Sequence, residues 1–144
     1  MGGKRLTKNM AKTKRSIRWI REKKKIYAGI HLIADFWGGK IIENSKEIEK
    51  VLTWAARKAG NIPLKTTIYK FSPQGMTGVL LLAESHIAFH SWPEFDYLAI
   101  DIFTCGDKAK PYKALEYLKR AFKPKKVEIK EIKSFVREDE PKAK

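Results

Sequence analysis

The segment from Leu80 to Gly106 places ionisable and reactive side chains inside an otherwise apolar stretch. Its apolar runs have the length and pattern of strands. Polar groups among such runs must be paired or used, because burying them alone costs free energy. The segment therefore favours a sheet that carries chemically active groups between its strands. These groups belong to Glu84, Ser85, His86, His90, Glu94 and Cys105.

Hydrophobic periodicity predicts two helices and six strands along the chain. The helices are expected at 45–59 and 110–122, and Asn44 with Glu47 has the spacing of a capping box at the start of the first. This order predicts an α+β fold, a two-layer α/β sandwich in which two helices cover one face of a mainly antiparallel sheet. The strands are expected at 26–37, 64–71, 76–83, 86–90, 97–104 and 127–135.

The charge is concentrated at the start of the chain. Of a net charge of +15 over 144 residues, eleven Lys or Arg and one acid lie in 1–25. We expect 1–25 to be a disordered basic leader, 26–136 a single folded domain and 137–144 a charged tail. One alternative stays open, a basic nucleic-acid-binding domain, and it predicts salt-dependent binding that is lost with the leader.

Cysteine content and hydropathy limit where the protein can act. One cysteine excludes an internal disulfide and fits a reducing cytoplasm, which is the expected location. No apolar run approaches the roughly 20 residues that span a bilayer, so no membrane is expected. The histidines and the cysteine lack metal-ligand spacing, and no metal site is expected. His31 is expected to be a core histidine.

The Glu84-Ser85 pair can support cleavage of the chain. A serine hydroxyl can attack the preceding carbonyl, and elimination then leaves a group that hydrolyses to pyruvoyl. His90 can act as the base, and Thr77 can donate a hydrogen bond from a neighbouring strand. Taken alone, the dipeptide is better explained by an ordinary turn serine, and the surrounding segment reverses this preference. Taken alone, a single cysteine in an apolar run such as Cys105 is interpreted as a packed core residue.

An aromatic and acidic set offers binding chemistry. Phe71 and Trp92 can sandwich a purine and face a cation, and Glu94 can accept hydrogen bonds from ribose hydroxyls. Both aromatics can equally be core residues.

The combination of Glu84-Ser85-His86, His90, Trp92-Pro93-Glu94 and Phe103-Thr104-Cys105-Gly106 resembles prokaryotic S-adenosylmethionine decarboxylase proenzymes over about 26–135. The resemblance implies self-cleavage between Glu84 and Ser85. Ser85 then becomes a pyruvoyl cofactor that forms a Schiff base with S-adenosylmethionine, and the product serves spermidine biosynthesis.

The resemblance also implies roles for the other candidates. His90 and Thr77 assist processing, and Cys105 protonates the substrate carbon. For substrate binding, Phe71 and Trp92 stack on adenine while Glu94 holds ribose. The fragments 1–84 and 85–144 stay together and form a homodimer whose sites use both protomers; nucleic acid is not an expected partner.

Three departures from the family pattern stand out. Ser91 replaces a threonine, Thr77 replaces a serine, and Phe95-Asp96 replaces a smaller pair. Slower self-cleavage and an altered pocket are the expected consequences. The closest alternative keeps the fold and the cofactor but decarboxylates arginine or ornithine.

Overall fold

The computed structural model describes residues 19–22, 25–106, 109–134 and 137–138. The helices are α1 (Ser45–Lys58) and α2 (Pro111–Phe122), and a short 3₁₀ turn spans Pro93–Phe95. The strands are β1 (Ile20–Glu22), β2 (Lys25–Tyr27), β3 (Gly29–Trp37), β4 (Pro63–Lys70), β5 (Met76–Leu82), β6 (His86–Trp92), β7 (Tyr97–Cys105), β8 (Lys126–Ser134) and β9 (Arg137–Glu138).

A six-stranded antiparallel sheet organises the described part of the chain. Its strand order is β4-β5-β6-β7-β3-β8, so β3 crosses over to lie between β7 and β8. The hairpins β4-β5, β5-β6 and β6-β7 are each formed by strands that follow one another in sequence. The predicted α+β sandwich with a mainly antiparallel sheet is confirmed.

Both helices cover the same face of this sheet. Each helix buries one apolar stripe, and alternate residues of the strands meet it. Leu52 of α1 and Leu118 of α2 are fully buried in one cluster with Leu32, Phe89 and Ile102 of the sheet. A fully buried side chain of this size stabilises the fold by about 1.5–3 kcal/mol, so this layer holds the domain together. The opposite face of the sheet carries neither helix.

The start of α1 follows the predicted capping pattern. The Asn44 side chain accepts a hydrogen bond from the Glu47 backbone N–H at 3.0 Å. This bond satisfies one of the helix's first N–H groups, which have no partner within the helix. In α2, Pro111 occupies the first turn, where its missing N–H costs nothing. Neither described helix is long and apolar enough to cross a membrane.

A small sheet of order β1-β2-β9 changes two expectations about the ends of the chain. β1 falls within 1–25 and β9 within 137–144, so disorder is the wrong prediction for these strand residues. The rest of the predicted leader, 1–18 and 23–24, and of the tail, 139–144, lies outside the described residues. The predicted strand 26–37 is also split at Ala28, whose N–H donates to Ser134 and whose carbonyl accepts from Gly106.

Candidate active site

The face of the sheet without helices carries the candidate residues, and we call it the open face. Side chains alternate along each strand, so one set of positions meets the helices and the other set lies on this face. The residues on the open face are partly or fully exposed in a single chain. They include His31, Asp35, Trp37, Thr77, His86, His90, Trp92, Tyr97, Asp101, Phe103 and Cys105.

Ser85 lies at the end of the tight turn that joins β5 to β6. The Leu82 N–H donates to the Ser85 carbonyl at 2.8 Å, and the Ser85 N–H lies 3.4 Å from the Leu82 carbonyl. Ala83 and Glu84 form the tip of this turn. The Ser85 hydroxyl is buried and has no hydrogen-bond partner among the described residues. A buried hydroxyl without a partner is unusual, and it leaves the oxygen available for the adjacent Glu84 carbonyl.

Cys105 ends β7 at the same end of the sheet as Ser85. In the β6-β7 register His86 pairs with Phe103, and extending it by two residues brings Cys105 level with Glu84. Cys105 is partly exposed and pairs with Gly29 of β3. A Cβ atom at Gly29 would lie 2.6 Å from the Thr104 carbonyl oxygen and 3.2 Å from the Cys105 Sγ. Glycine is therefore needed for the close approach of these two strands beside the thiol.

Thr77 and His90 form a hydrogen-bonded pair near the opposite end of the sheet. They face each other across β5 and β6, and the Thr77 Oγ1 lies 2.7 Å from the His90 Nδ1. If the Nδ1–H of a neutral imidazole donates to the Thr77 Oγ1, Nε2 stays free to accept a proton and the Thr77 hydroxyl keeps its own proton for another partner. Such a pair can hold a neutral ring as a proton acceptor and present a hydroxyl beside it.

A cleft of about 280 Å³ opens beside this pair. Its Glu94 carboxylate accepts a hydrogen bond from the Gln74 side chain at 3.2 Å. The cleft brings together all three residues that the sequence suggested for binding, and both suggested processing residues. It is lined by Phe71, Gln74, Gly75, Met76, Thr77, His90, Ser91, Trp92 and Glu94.

The candidate residues fall into two half-sites rather than one. The register pairs Leu81 with His86 and Thr77 with His90. These two pairs are four residues apart along the strands, or about 13 Å at the usual rise per residue. Ser85 and Cys105 therefore lie at one end of the open face, and the Thr77–His90 pair with its cleft lies at the other. Within one chain, Thr77 and His90 are therefore far from Ser85.

The sequence suggested no binding or processing role for four residues of the cleft, which are Gln74, Gly75, Met76 and Ser91. The Ser91 hydroxyl is buried and accepts a hydrogen bond from the Met76 N–H at 2.9 Å, which ties β5 to β6 beneath the processing pair. Gly75 has a φ of 95°, and a Cβ atom there would lie 3.0 Å from the Ser91 carbonyl oxygen. Gln74 positions Glu94. Of these, only Ser91 could have been recognised from the sequence, because it takes a position that faces the core in a strand of alternating pattern.

An aromatic stack extends the cleft across three strands. The Tyr97 ring stacks on Trp92 at 5.4 Å and on Trp37 at 4.3 Å between centroids. The Tyr97 hydroxyl donates a hydrogen bond to Asp35. Burial, then the hydrogen bond and the negative charge of Asp35, raise the Tyr97 pKa to about 12. Tyr97 therefore stays protonated as a donor at neutral pH.

His31 does not lie in the core, and that expectation was wrong. Its side chain is on the open face, 28% exposed, and contacts the Asp101 carboxylate. Asp101 also meets His86 of β6. The register of three strands creates this cluster, which no sequence spacing indicated.

Comparison with known proteins identifies the family. The family model described as S-adenosylmethionine decarboxylase matches residues 30–135. An S-adenosylmethionine decarboxylase proenzyme of Acetivibrio thermocellus is 42% identical over 113 residues, covering 77% of this chain and 91% of that protein. A proenzyme of the same name from Methanococcus maripaludis is 40% identical over 113 residues, which cover 77% of this chain and 93% of that protein.

A solved structure agrees with the sequence comparisons. The adenosylmethionine decarboxylase of Aquifex aeolicus superposes with a TM-score of 0.74 at 34% identity. The match covers 81% of this chain and 98% of that one. The two-layer fold and the buried serine in a tight turn agree with these relatives. The chain belongs to the S-adenosylmethionine decarboxylase family.

Proposed function

We propose that this protein is a self-processing, pyruvoyl-dependent decarboxylase of S-adenosylmethionine. The observation that carries the proposal is the Ser85 hydroxyl, buried without a described partner in a tight turn. That environment suits a serine that reacts with its own chain, and it fits the conversion of Ser85 into a pyruvoyl group. The names of the relatives, which call them proenzymes, support the same interpretation.

Cleavage follows from the chemistry of the Glu84-Ser85 bond. The Ser85 Oγ attacks the Glu84 carbonyl carbon, and the C–N bond breaks to leave an ester and a free amine. A base then removes the Ser85 Cα proton, and the α-carboxylate of Glu84, now the end of the first fragment, leaves from the Ser85 Cβ. Water replaces the nitrogen, which departs as ammonia, and a pyruvoyl group remains. His90 supplies the base and Thr77 a hydrogen bond to the oxyanion.

Decarboxylation also needs a proton donor close to the substrate carbon. Once formed, the pyruvoyl group supplies a carbonyl that binds the substrate amine and accepts the electrons released with carbon dioxide. Cys105, one strand away from the turn, then delivers a proton to the substrate carbon. Phe71 and Trp92 hold the adenine by stacking, and Glu94, oriented by Gln74, accepts from the ribose hydroxyls.

We further infer that each working site uses two copies of the chain. Thr77 and His90 lie too far from Ser85 within one chain to assist it, whereas a two-fold axis can place one end of the open face over the opposite end of a second copy. The cleft of about 280 Å³ is small for a nucleoside with a side chain and needs a second wall. Exposed apolar side chains such as Ile33, Val79 and Leu81 supply a surface to bury.

A direct assay tests the activity. Carboxyl-labelled S-adenosylmethionine, arginine and ornithine are each incubated with the purified protein, and released carbon dioxide is counted. Release from S-adenosylmethionine alone is expected. Release from arginine or ornithine instead would favour the alternative substrates, and release from none of them in a fully cleaved preparation would contradict the proposal. Cytoplasmic location and a role in spermidine synthesis stay predictions.

Two inactive variants test the shared site. Ser85→Ala lacks the serine, and His90→Ala lacks the base, so each homodimer should stay uncleaved. Co-expressed, they form mixed dimers in which the intact Ser85 of one chain meets the intact His90 of the other. Cleavage of the His90→Ala chain is expected only in the mixture. No cleavage in a mixture shown to contain mixed dimers would mean that each chain processes itself.

A further inference from the structure

Two imidazoles and one carboxylate meet on the open face outside the cleft. The His86 Nε2 lies 3.3 Å from the Asp101 Oδ2, and the His31 Nε2 contacts the Asp101 Oδ1. One donor atom from each residue lies within 4.8 Å of the other two. We propose that His31, His86 and Asp101, defined here as the HHD cluster, bind one divalent transition-metal ion such as Zn²⁺.

The backbone of three adjacent strands holds the HHD cluster in place. His31 of β3 and His86 of β6 both pair with Phe103 of β7, one from each side. Asp101 lies two residues before Phe103 and so shares its face. The Phe103 ring lies 5.5 Å from the His31 ring and 6.0 Å from the His86 ring between centroids, which limits how far the imidazoles can turn away. The three donors are therefore preorganised.

The donor set fits zinc-like ions. Imidazole nitrogen with carboxylate oxygen suits Zn²⁺ and Co²⁺, and three protein ligands with an open position are common for such ions. Donors on one tetrahedral ion are about 3.3 Å apart for bonds of 2.0–2.1 Å. The separations in the HHD cluster, up to 4.8 Å, close with small side-chain rotations. In a single chain, side-chain exposures of 28–35% leave room for water as a fourth ligand.

A hydrogen-bonded cluster without metal is the competing interpretation. In that arrangement the Asp101 carboxylate accepts a hydrogen bond from the Nε2–H of each imidazole. An ion needs the same two nitrogens without protons, so each neutral ring must carry its proton on Nδ1 instead. The two arrangements exclude each other, and an experiment can distinguish them.

The HHD cluster also joins the two proposed fragments. His31 belongs to 1–84, whereas His86 and Asp101 belong to 85–144. If Ser85 is processed as proposed, an ion would hold His86, the residue that follows the pyruvoyl group, against both fragments. This consequence rests on the proposed function, but metal binding itself does not, since all three ligands are present before cleavage.

Cobalt titration of chelator-treated protein tests the proposal. We expect one Co²⁺ per chain, with visible absorption bands that Zn²⁺ abolishes by displacement. His31→Gln and the isosteric Asp101→Asn should each lower the affinity at least about 10-fold. His90→Gln is the matched control, because it removes the remaining one of three histidines and should bind normally. Cys105→Ser, tested in the same way, should also bind and so excludes thiolate ligation.

Two results would overturn the metal site. One is the absence of saturable Co²⁺ binding to the wild-type protein at millimolar metal. The other is unchanged binding in both HHD-cluster variants. If a variant fails to fold, ¹⁵N spectra of wild-type imidazoles decide: Zn²⁺ must shift the ring nitrogens of His31 and His86, and unshifted signals would refute the site. None of these readouts depends on decarboxylase activity.

Discussion

Thr77 stands where the resemblance to the family leads us to expect a serine. Its hydroxyl lies 2.7 Å from the His90 Nδ1, so the hydrogen bond expected of a serine survives. The additional methyl group restricts the side-chain rotamers on a strand. We therefore predict that the threonine affects the rate of the proposed self-cleavage and leaves its chemistry unchanged.

Two substitutions of Thr77 test the effects of its hydroxyl and of its methyl group separately. Thr77→Val keeps the shape and removes the donor, and self-cleavage should slow by about 100-fold or more, as for loss of an oxyanion donor. Thr77→Ser keeps the donor and should cleave at least as fast as wild type. A gel time course of fragment appearance measures both rates. Self-cleavage of Thr77→Val at the wild-type rate would show that Thr77 takes no part in processing.

Cys105 is predicted to act after cleavage. Cys105→Ala should yield both fragments normally, whereas carbon dioxide release per cleaved chain should fall by about 100-fold, the usual contribution of a positioned acid. The two quantities are measured on one preparation, by gel and by label release. Normal turnover in a fully cleaved variant would assign Cys105 to packing alone.

The Tyr97 phenol should make the stability of the fold depend on pH. Its pKa rises from 10.0 to about 12 through burial and Asp35, so the folded state favours the protonated phenol. The stabilisation is complete below pH 10 and is lost as pH rises to about 12. The stability advantage of wild type over Tyr97→Phe in urea unfolding should therefore shrink above pH 10. The exposed Tyr69→Phe is the control, and an advantage that is constant with pH would contradict the assignment.

Strands β3 and β7 form the element pair that positions the thiol. Gly29→Ala would place a Cβ atom 2.6 Å from the Thr104 carbonyl oxygen, a backbone atom that cannot rotate away. The strands must separate beside Cys105, at a cost of about 1–3 kcal/mol. Thermal unfolding should show that loss, and decarboxylation should fall more than self-cleavage does. Full stability and full turnover together would show that this close approach is unimportant.

The elements were largely predictable because their signals are local. Helix α1 begins one residue after Asn44, whose cap was visible in the sequence, and the strand 76–83 differs from β5 only at its last residue. The predicted strand 26–37 missed the break at Ala28. That break depends on hydrogen bonds to Ser134 and Gly106, which only the folded chain brings near.

The grouping of the suggested binding residues was easier to predict from the sequence than the geometry around them. The cleft does gather Phe71, Trp92 and Glu94, which the sequence proposed as a set. The meeting of His31 with His86 depends on β7 lying between their strands, a tertiary fact that residue spacing does not encode. The roles of the individual site residues stay predictions.

At the scale of the whole molecule, one layer of helices and one open face explain how a small domain can build a large site. The helices stabilise one side of the sheet, and the other side is the face that we propose for the chemistry and for contact with a second copy. Ser85 and Cys105 lie at one end of that face, and the cleft with Thr77 and His90 lies at the other. The central claim is that the chain cuts itself at Ser85 and thereby makes its cofactor.

Denatured mass spectrometry of freshly purified protein tests that claim most directly, with Ser85→Ala as the matched control. We predict two fragments divided between Glu84 and Ser85, with the mass of the second showing a pyruvoyl group in place of the serine, and one intact chain for the variant. A wild-type chain that stays at its full 16.6 kDa after prolonged warming would contradict the account.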